Sequence, residues 1–259
     1  MRKKEGAPVV AMNFSGVYDM ERFDKAPGVV RLDFSQLRGT AGYCSREAAR
    51  VIKERIRPYG PCGIHFLDSG DYHYVSKFWT DMITEPFSLV LVDHHTDMQD
   101  SRVDGMLSCG DWVKAVIEQN EHLEKVVVAG VPPESASKVP AGLLSRVEFV
   151  TGQEFADMAR GGRAVGGGAV YVSIDKDALS PEDAVTNWDQ GDMRERDLRS
   201  FLARLVERED VIGVDVCGEF QVAGDYFADR RAAEKDDAVN EDLLLAIDMA
   251  ASRRMAEEG

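Results

Sequence analysis

Short apolar runs that alternate with amphipathic segments constrain the fold of this chain more than any other feature. The runs are mainly apolar throughout, instead of alternating with polar residues, which is typical of strands buried on both faces of a sheet. They predict strands at Val9–Asn13, Val29–Asp33, Gly63–Leu67, Phe87–Val92, Val126–Val131, Val147–Val150, Ala169–Ile174 and Val211–Val216.

The segments between these strands predict helices. They lie at Ser45–Ile56, Asp71–Ile83, Asp111–Asn120, Gln153–Arg160, Glu195–Arg208 and Asn240–Ala256. Alternation of buried strands and helices indicates an α/β fold, a three-layer α/β/α sandwich around a mainly parallel sheet of about eight strands. We expect one domain over residues 1–259, with the polar stretch Ala223–Asp237 as a surface loop bordering the site.

Two of the predicted strands end in clusters of acidic and imidazole side chains. The motif D-H-H-T-D at residues 93–97 follows one strand, and D-K-D at residues 175–177 follows another. Ligands bind beyond the carboxyl ends of parallel strands, so both motifs lie where a site is expected. Several charges buried together are costly unless a cation neutralises them, and the pair of motifs therefore predicts a metal site.

The spacing within each motif supports this interpretation. Residues at i, i+2 and i+4 of an extended segment point the same way, so Asp93, His95 and Asp97 can converge. Asp175 and Asp177 can do the same. Carboxylate and imidazole ligands without a thiolate in either motif favour Mn²⁺ or a similar metal over a cysteine-rich zinc site. Acidic residues also end strands and cap helices without binding metal, but two such motifs together make that explanation weaker.

Composition excludes several classes of partner. The formal net charge of −15 argues against a nucleic-acid or anionic membrane partner and suits a small cationic substrate. The four cysteines form no closely spaced pair, and the sequence shows neither a signal peptide nor an apolar run of membrane-spanning length. A cytoplasmic protein is therefore predicted.

Three motifs resemble those of the ureohydrolases, the superfamily of arginase and agmatinase. D-H-H-T-D at 93–97 resembles their D-A-H-x-D, and S-I-D-K-D-A-L-S-P at 173–181 resembles their S-x-D-x-D-x-L-D-P. G-D-Y-H at 70–73 is similar to their G-G-D-H, with one extra residue before the histidine. All three occur in the family's order, so the chain resembles a divergent member with an arginase-like fold.

The resemblance implies a dinuclear centre with two Mn²⁺ ions per chain, although other divalent metals are compatible. Asp93 and Asp175 would bridge the two ions. The implied ligands are His73, Asp93, His95, Asp97, Asp175 and Asp177. A metal-bridging hydroxide would then attack the planar carbon of a guanidino, amidino, formimino or amide group, so the implied activity is hydrolysis of a non-peptide C–N bond.

Other implied site residues depart from the family pattern. Cys109 occupies the place of a proton-shuttling histidine, and Gln99 stands where arginases have an asparagine that holds the amino-acid end of the substrate. Glu219, in a segment resembling the late D-x-x-E with one extra residue, would pair with a cationic substrate group. With Asp97, Cys109 and Glu219 form the expected catalytic set.

The expected substrate site also includes Thr186 and Trp188, which follow the second metal motif. Thr186 would make a polar contact, and Trp188 would narrow or roof the pocket and so favour a substrate other than arginine. The segments Gln99–Ser108 and Pro132–Ala141 would contact the far end of the substrate but match no specificity pattern. The identity of the substrate therefore stays open.

Two alternatives also stay open. Metal-dependent deacetylases share the fold and use a single zinc ion to hydrolyse amides. A non-catalytic member could use the scaffold for binding or assembly, an alternative that the loss of the shuttle histidine favours. Oligomers are common in the superfamily, so self-association is an expectation for which the sequence fixes no symmetry.

Overall fold

The computed structural model describes residues 8–101, 103, 105–166 and 168–258 of the chain. Its strands in chain order are β1 Val9–Asn13, β2 Val29–Asp33, β3 Tyr43–Cys44, β4 Gly63–Phe66, β5 Phe87–Val92, β6 Leu107–Ser108, β7 Leu123–Ala129, β8 Val147–Val150, β9 Ala169–Asp175 and β10 Asp210–Cys217. Eight of them form one sheet in the order β2-β1-β4-β10-β9-β5-β7-β8. Every neighbouring pair in that sheet is parallel.

Helices cover both faces of the sheet. They are α1 Arg46–Ile56, α2 Val75–Thr80, α3 Trp112–Gln119, α4 Gly152–Ala159, α5 Glu195–Arg208 and α6 Tyr226–Glu258. The first three pack into the apolar core of one face, and the last three pack into the core of the other. The predicted three-layer α/β/α sandwich is therefore confirmed. Among the described residues, none of the helices has both the length and the apolar content needed to cross a membrane.

Helix α6 is the largest departure from the predicted elements. It begins at Tyr226, so most of the stretch predicted as a surface loop, Ala223–Asp237, is helical. The Asp225 carboxylate accepts the N–H groups of Phe227 and Ala228, which caps the first turn. The polar residues of this stretch lie mostly on a long helix, so the surface loop predicted from their composition is wrong.

Two further departures lie near the metal motifs. Helix α2 is shorter than the predicted Asp71–Ile83, because a separate 3₁₀ turn at Gly70–Tyr72 precedes it. The short strands β3 and β6, which the apolar pattern did not predict, pair antiparallel to each other. This pairing fixes the loop after β5 against the segment before α1.

The order of the strands creates the crevice that holds the site. Strands β4 and β5 are consecutive in the main sheet along the chain, yet β10 and β9 lie between them. The carboxyl ends of β5 and β9 are direct neighbours, with Val92 opposite Ile174. A reversal of strand order of this kind opens a crevice beyond the strand ends, where parallel sheets bind ligands.

Candidate metal centre

The segment after β5 bends so that its acidic side chains meet. The Asp93 N–H still donates to Ala129 O at 2.9 Å, as in the strand, but Asp97 has a left-handed backbone with φ +51°. The carbonyl of Asp97 accepts the Val113 N–H at 3.0 Å, which ties this residue to α3. The side chains thus converge through a bend and not through the extended segment on which the spacing argument relied.

The acidic pair after β9 lies on a tight turn. The strand ends at Asp175, and a 3₁₀ turn follows at Lys176–Ala178. The Asp177 N–H donates to Asp175 Oδ1 at 2.9 Å, and the His94 N–H donates to Asp177 Oδ1 at 2.9 Å. These backbone donors hold one oxygen of each carboxylate, and the other oxygen faces the centre.

His73 enters the cluster from the turn before α2. Its Nε2 contacts the Ser173 hydroxyl at 2.9 Å, which orients the ring. Its Nδ1 therefore faces the carboxylates, 3.1 Å from Asp97 Oδ2, 3.3 Å from Asp93 Oδ2 and 3.5 Å from Asp175 Oδ2. On the other side of Asp93, His95 Nδ1 lies 2.8 Å from Asp177 Oδ2.

Five of the six predicted ligands therefore form two adjoining groups. His73, Asp93 and Asp97 make one, and Asp93, His95 and Asp177 make the other. Asp175 joins His73 in a further group. Within the described residues, the buried atoms His73 Nδ1 and Asp93 Oδ2 have no hydrogen-bond partner. Buried polar atoms are rarely left unpaired, so this donor set fits divalent cations.

The pKa shifts within the cluster also support a metal site. Burial and the neighbouring Asp93 carboxylate raise the pKa of Asp97 to about 6. Burial, Asp175 and Asp93 also raise the pKa of Asp177 well above its ordinary value. Burial opposes protonation of His95, but its contacts with Asp177 and Asp93 raise its pKa to about 12. Carboxylates that repel one another here would be stabilised as anions by a bound cation.

A cavity of about 50 Å³ opens from this cluster. Gln99, Cys109 and Trp188 line it together with five of the predicted ligands. Burial, followed by the Asp97 charge, raises the pKa of the Cys109 thiol to about 12. The structure thus brings Gln99, Cys109 and Trp188 to the metal motifs, as their predicted roles require.

The Trp188 indole covers one side of the cavity and packs on a glycine. A Cβ added to Gly70 would lie 2.7 Å from Trp188 Cδ1 and 2.9 Å from Asp175 Oδ2. Only glycine leaves room for both groups. The G-D-Y-H turn therefore positions His73 and also accommodates the tryptophan.

The loop that carries Trp188 is tied to the site by its neighbours. The Thr186 hydroxyl donates to the Trp188 carbonyl at 2.8 Å, so Thr186 supports the loop and does not line the small cavity. Asn187 Oδ1 accepts the Gly70 N–H at 3.1 Å, and Asp189 Oδ1 lies 3.2 Å from His95 Nε2. Sequence reasoning missed Asn187 and Asp189, whose polar character in a loop gave no specific signal.

Glu219 lies on the other side of the strand end and is fully buried. Its Oε1 lies 2.7 Å from Lys176 Nζ and 2.9 Å from Asn240 Nδ2. Gly218, with φ +95°, turns the chain so that the Glu219 side chain lies away from the cavity. This placement corrects the prediction that Glu219 pairs with a cationic substrate group, and the carboxylate instead neutralises a buried lysine.

Cys217 is a site residue that sequence reasoning missed. Its Sγ donates to Asp175 Oδ2 at 3.2 Å, and the side chain is fully buried. Together with His73 and Asp175 it forms a third group with the spacing of metal ligands. An apolar strand ending in cysteine looks like ordinary core, so only the position beside Asp175 could have indicated a role.

His94 and neighbouring residues line a larger cavity of about 670 Å³. Its walls are mainly apolar and include Val131, Pro132, Phe149 and Phe155. Part of the segment Pro132–Ala141, which we expected near the far end of the substrate, thus lines open space close to the metal motifs.

Comparison with known proteins agrees with the geometry. The family model described as the arginase family matches residues 17–221. The chain belongs to the arginase family. Arginase-family proteins are hydrolases that act on C–N bonds, and the metal motifs described above fall within the matched region.

Individual relatives extend this result. The chain is 30% identical over 209 residues to an uncharacterised protein from Thermotoga maritima, across 80% of this chain and 78% of that protein. A hypothetical agmatinase from Burkholderia thailandensis superposes with a TM-score of 0.69 at 17% identity, covering 100% of this chain and 90% of that one. Proclavaminate amidino hydrolase from Streptomyces clavuligerus gives 0.67 at 18% identity, with 94% and 92% covered. At such identities, these two structures establish the arginase-like fold alone.

Proposed function

We propose that this protein is a dinuclear-metal hydrolase that cleaves a non-peptide C–N bond in a linear guanidino, amidino or formimino compound. The observation that carries the proposal is the convergence of six metal-ligand candidates, five of which line one small cavity. Within this cluster, His73 Nδ1 and Asp93 Oδ2 are buried without hydrogen-bond partners among the described residues. Mn²⁺ is the cation we propose for positions with only carboxylate and imidazole ligands.

The residues of the chain have distinct roles in this proposal. When bound, two divalent cations would lower the pKa of water enough to supply hydroxide near neutral pH. Asp93 would hold both cations, because it belongs to ligand groups on either side of the centre. Asp175 lines the same cavity and is the second shared ligand that the family resemblance implies. His95 would be oriented by Asp189, since carboxylates commonly fix the outer nitrogen of a ligating imidazole.

The lining of the cavity supports a small planar reacting group. A volume of about 50 Å³ beside Trp188 leaves little room for a branched or bulky group at the metals. Gln99 offers an amide donor and acceptor there, and Cys109 is the thiol placed to exchange a proton with the reacting group. We propose both residues as contacts of the amidine-like end of the substrate.

The test is a screen of the Mn²⁺-loaded protein against linear guanidino, amidino and formimino compounds. Release of urea, ammonia or formamide would be measured for each compound. We expect turnover of at least one compound and its loss in Asp177→Asn, which removes a ligand oxygen but keeps the size of the side chain. The matched control is Glu121→Gln, whose side chain is 90% exposed.

The screen separates this proposal from the alternatives. Hydrolysis of acetylated amines instead of guanidino compounds would favour a deacetylase. Absence of turnover of every class by the metal-loaded chain would contradict the proposed function and favour a binding role. Equal activity of Asp177→Asn and the parent protein would contradict the assignment of the site.

A further inference from the structure

A third strand brings sulfur to the proposed metal centre. Cys217 ends β10 directly opposite Asp175 of β9 in the parallel register. Its Sγ lies 3.2 Å from Asp175 Oδ2. One ligand atom from each of His73, Asp175 and Cys217 lies within 4.8 Å of the other two, and all three residues are buried.

These separations suit ligands of a single ion. Bonds of roughly 2.0–2.3 Å to nitrogen, oxygen and sulfur place neighbouring ligand atoms about 3–4 Å apart. The Sγ–Oδ2 distance of 3.2 Å and the His73 Nδ1–Asp175 Oδ2 distance of 3.5 Å both fall in that interval.

The orientation of the buried His73 nitrogen gives further support. The residue is only 1% exposed, its Nδ1 faces this group, and no described residue forms a hydrogen bond with that atom. Gly218 makes the approach of the strand end feasible, since a Cβ there would lie 2.3 Å from Asp175 Oδ1. Because residue 218 is a glycine, the backbone beside Cys217 can approach the Asp175 carboxylate closely.

We propose that Cys217 is a thiolate ligand of the cation on the His73 side of the centre, and that this position selects a thiophilic divalent metal such as Zn²⁺, Co²⁺ or Fe²⁺. Binding would displace the thiol proton to solvent. The other position has Asp93, His95 and Asp177, which offer only oxygen and nitrogen and suit Mn²⁺. The inference rests on the proposed dinuclear centre and makes its two positions chemically different.

The test is titration of the full metal-free chain with Co²⁺, followed by ultraviolet and visible absorption. A thiolate ligand gives sulfur-to-cobalt charge transfer in the near ultraviolet, and oxygen and nitrogen ligands do not. We expect this band to develop with one of two bound Co²⁺ ions and to be absent in Cys217→Ser. Cys109→Ser is the matched control, because Cys109 lines the same cavity, and it should keep the band.

Affinity gives a second readout. Cys217→Ser should weaken Zn²⁺ binding at one position by about tenfold or more and weaken Mn²⁺ binding less. If the variant does not fold, as judged by circular dichroism, ¹¹³Cd NMR of the parent protein replaces it. One of two cadmium signals should then have the downfield shift of a sulfur ligand.

The outcomes separate this inference from the proposed function. Two bound Co²⁺ ions without charge transfer, or two cadmium signals in the oxygen and nitrogen range, would overturn the role of Cys217 and leave the dinuclear centre intact. A band that disappears in Cys109→Ser but survives in Cys217→Ser would also overturn it. Failure to bind any cobalt or cadmium would instead contradict the proposed function.

Discussion

At the scale of single residues, hydrogen bonds orient the acidic side chains of the centre. Backbone N–H groups hold Asp175 Oδ1 and Asp177 Oδ1, and the Trp112 indole donates to Asp97 Oδ2 at 2.7 Å. Ligands held in this way lose little conformational entropy when a cation binds. The donor set is therefore preorganised by the fold and by hydrogen bonds from outside the cluster.

Asp97→Ala should lower bound divalent metal from about two ions per chain toward one and should abolish turnover, because one position loses a carboxylate ligand. Elemental analysis after removal of excess metal measures the stoichiometry. The control is Glu47→Ala, since the Glu47 side chain is 75% exposed and pairs with Arg50 on the surface of α1. Full activity of Asp97→Ala would show that the ligand assignment is wrong.

Lys176 lies between two ligand candidates but serves the opposite side of the sheet. Its ammonium is fully buried beside Glu219. Burial opposes protonation, yet the charges of Asp236, Glu219 and Glu21 raise the pKa of Lys176 above its ordinary value. This single cation offsets several buried carboxylates, so its removal would leave them uncompensated.

Lys176→Met should therefore lower the free energy of unfolding by roughly 3–5 kcal/mol, the range for breaking a buried ion pair. Urea denaturation measures this loss. Lys53→Met is the comparison, because its 49% exposed side chain pairs with Asp81 at the surface and should cost at most about 1 kcal/mol. Equal losses for the two variants would contradict the role of Lys176.

At the scale of elements, loops at the strand ends carry the site, and the helices and strands hold these loops in place. The turn before α2 supplies His73, the bend before α3 supplies Asp97, and the end of β10 supplies Cys217. The Trp188 loop closes over them through Asn187, which bridges to Gly70 and Asp71. Substitutions in this loop should therefore alter how the cavity is covered without disrupting the apolar core.

Asn187→Ala should loosen that loop, because Gly70 N–H and Asp71 lose their partner in one step. Hydrogen–deuterium exchange should become faster at residues 186–191 and at Gly70, with little change elsewhere. Gln153→Ala is the control, since among the described residues its side chain bonds the exposed neighbour Asp157 on α4. Unchanged exchange in the Trp188 loop would contradict this account of how the cavity is covered.

Element positions were predictable where one signal dominated. Apolar runs located all eight strands of the main sheet, and acidic motifs at two strand ends located the metal centre. The start of α6 was not predictable from composition, because its polar residues resemble a loop until the Asp225 cap and the Arg230–Glu234 pair are seen. The side on which Glu219 lies depends on the positive φ of Gly218, which no pattern of residue types specifies.

At the scale of the whole molecule, strand order explains why some site residues were missed. Strands β9 and β10 insert between β4 and β5, so that side chains from residue 73 to residue 217 meet in one crevice. Sequence motifs mark residues that are close along the chain. They could not reveal that Cys217 lies opposite Asp175, because that contact follows only from the register of neighbouring strands.

The central claim is that the crevice holds two divalent cations, and metal stoichiometry tests it most directly. The full chain would be stripped of metal, incubated with Mn²⁺ and Zn²⁺ together, freed of excess ion and analysed for total bound metal. The account predicts a value near two per chain. A value near zero would contradict it, and a value near one with a preference for Zn²⁺ would replace the dinuclear centre with the single-metal chemistry of a deacetylase.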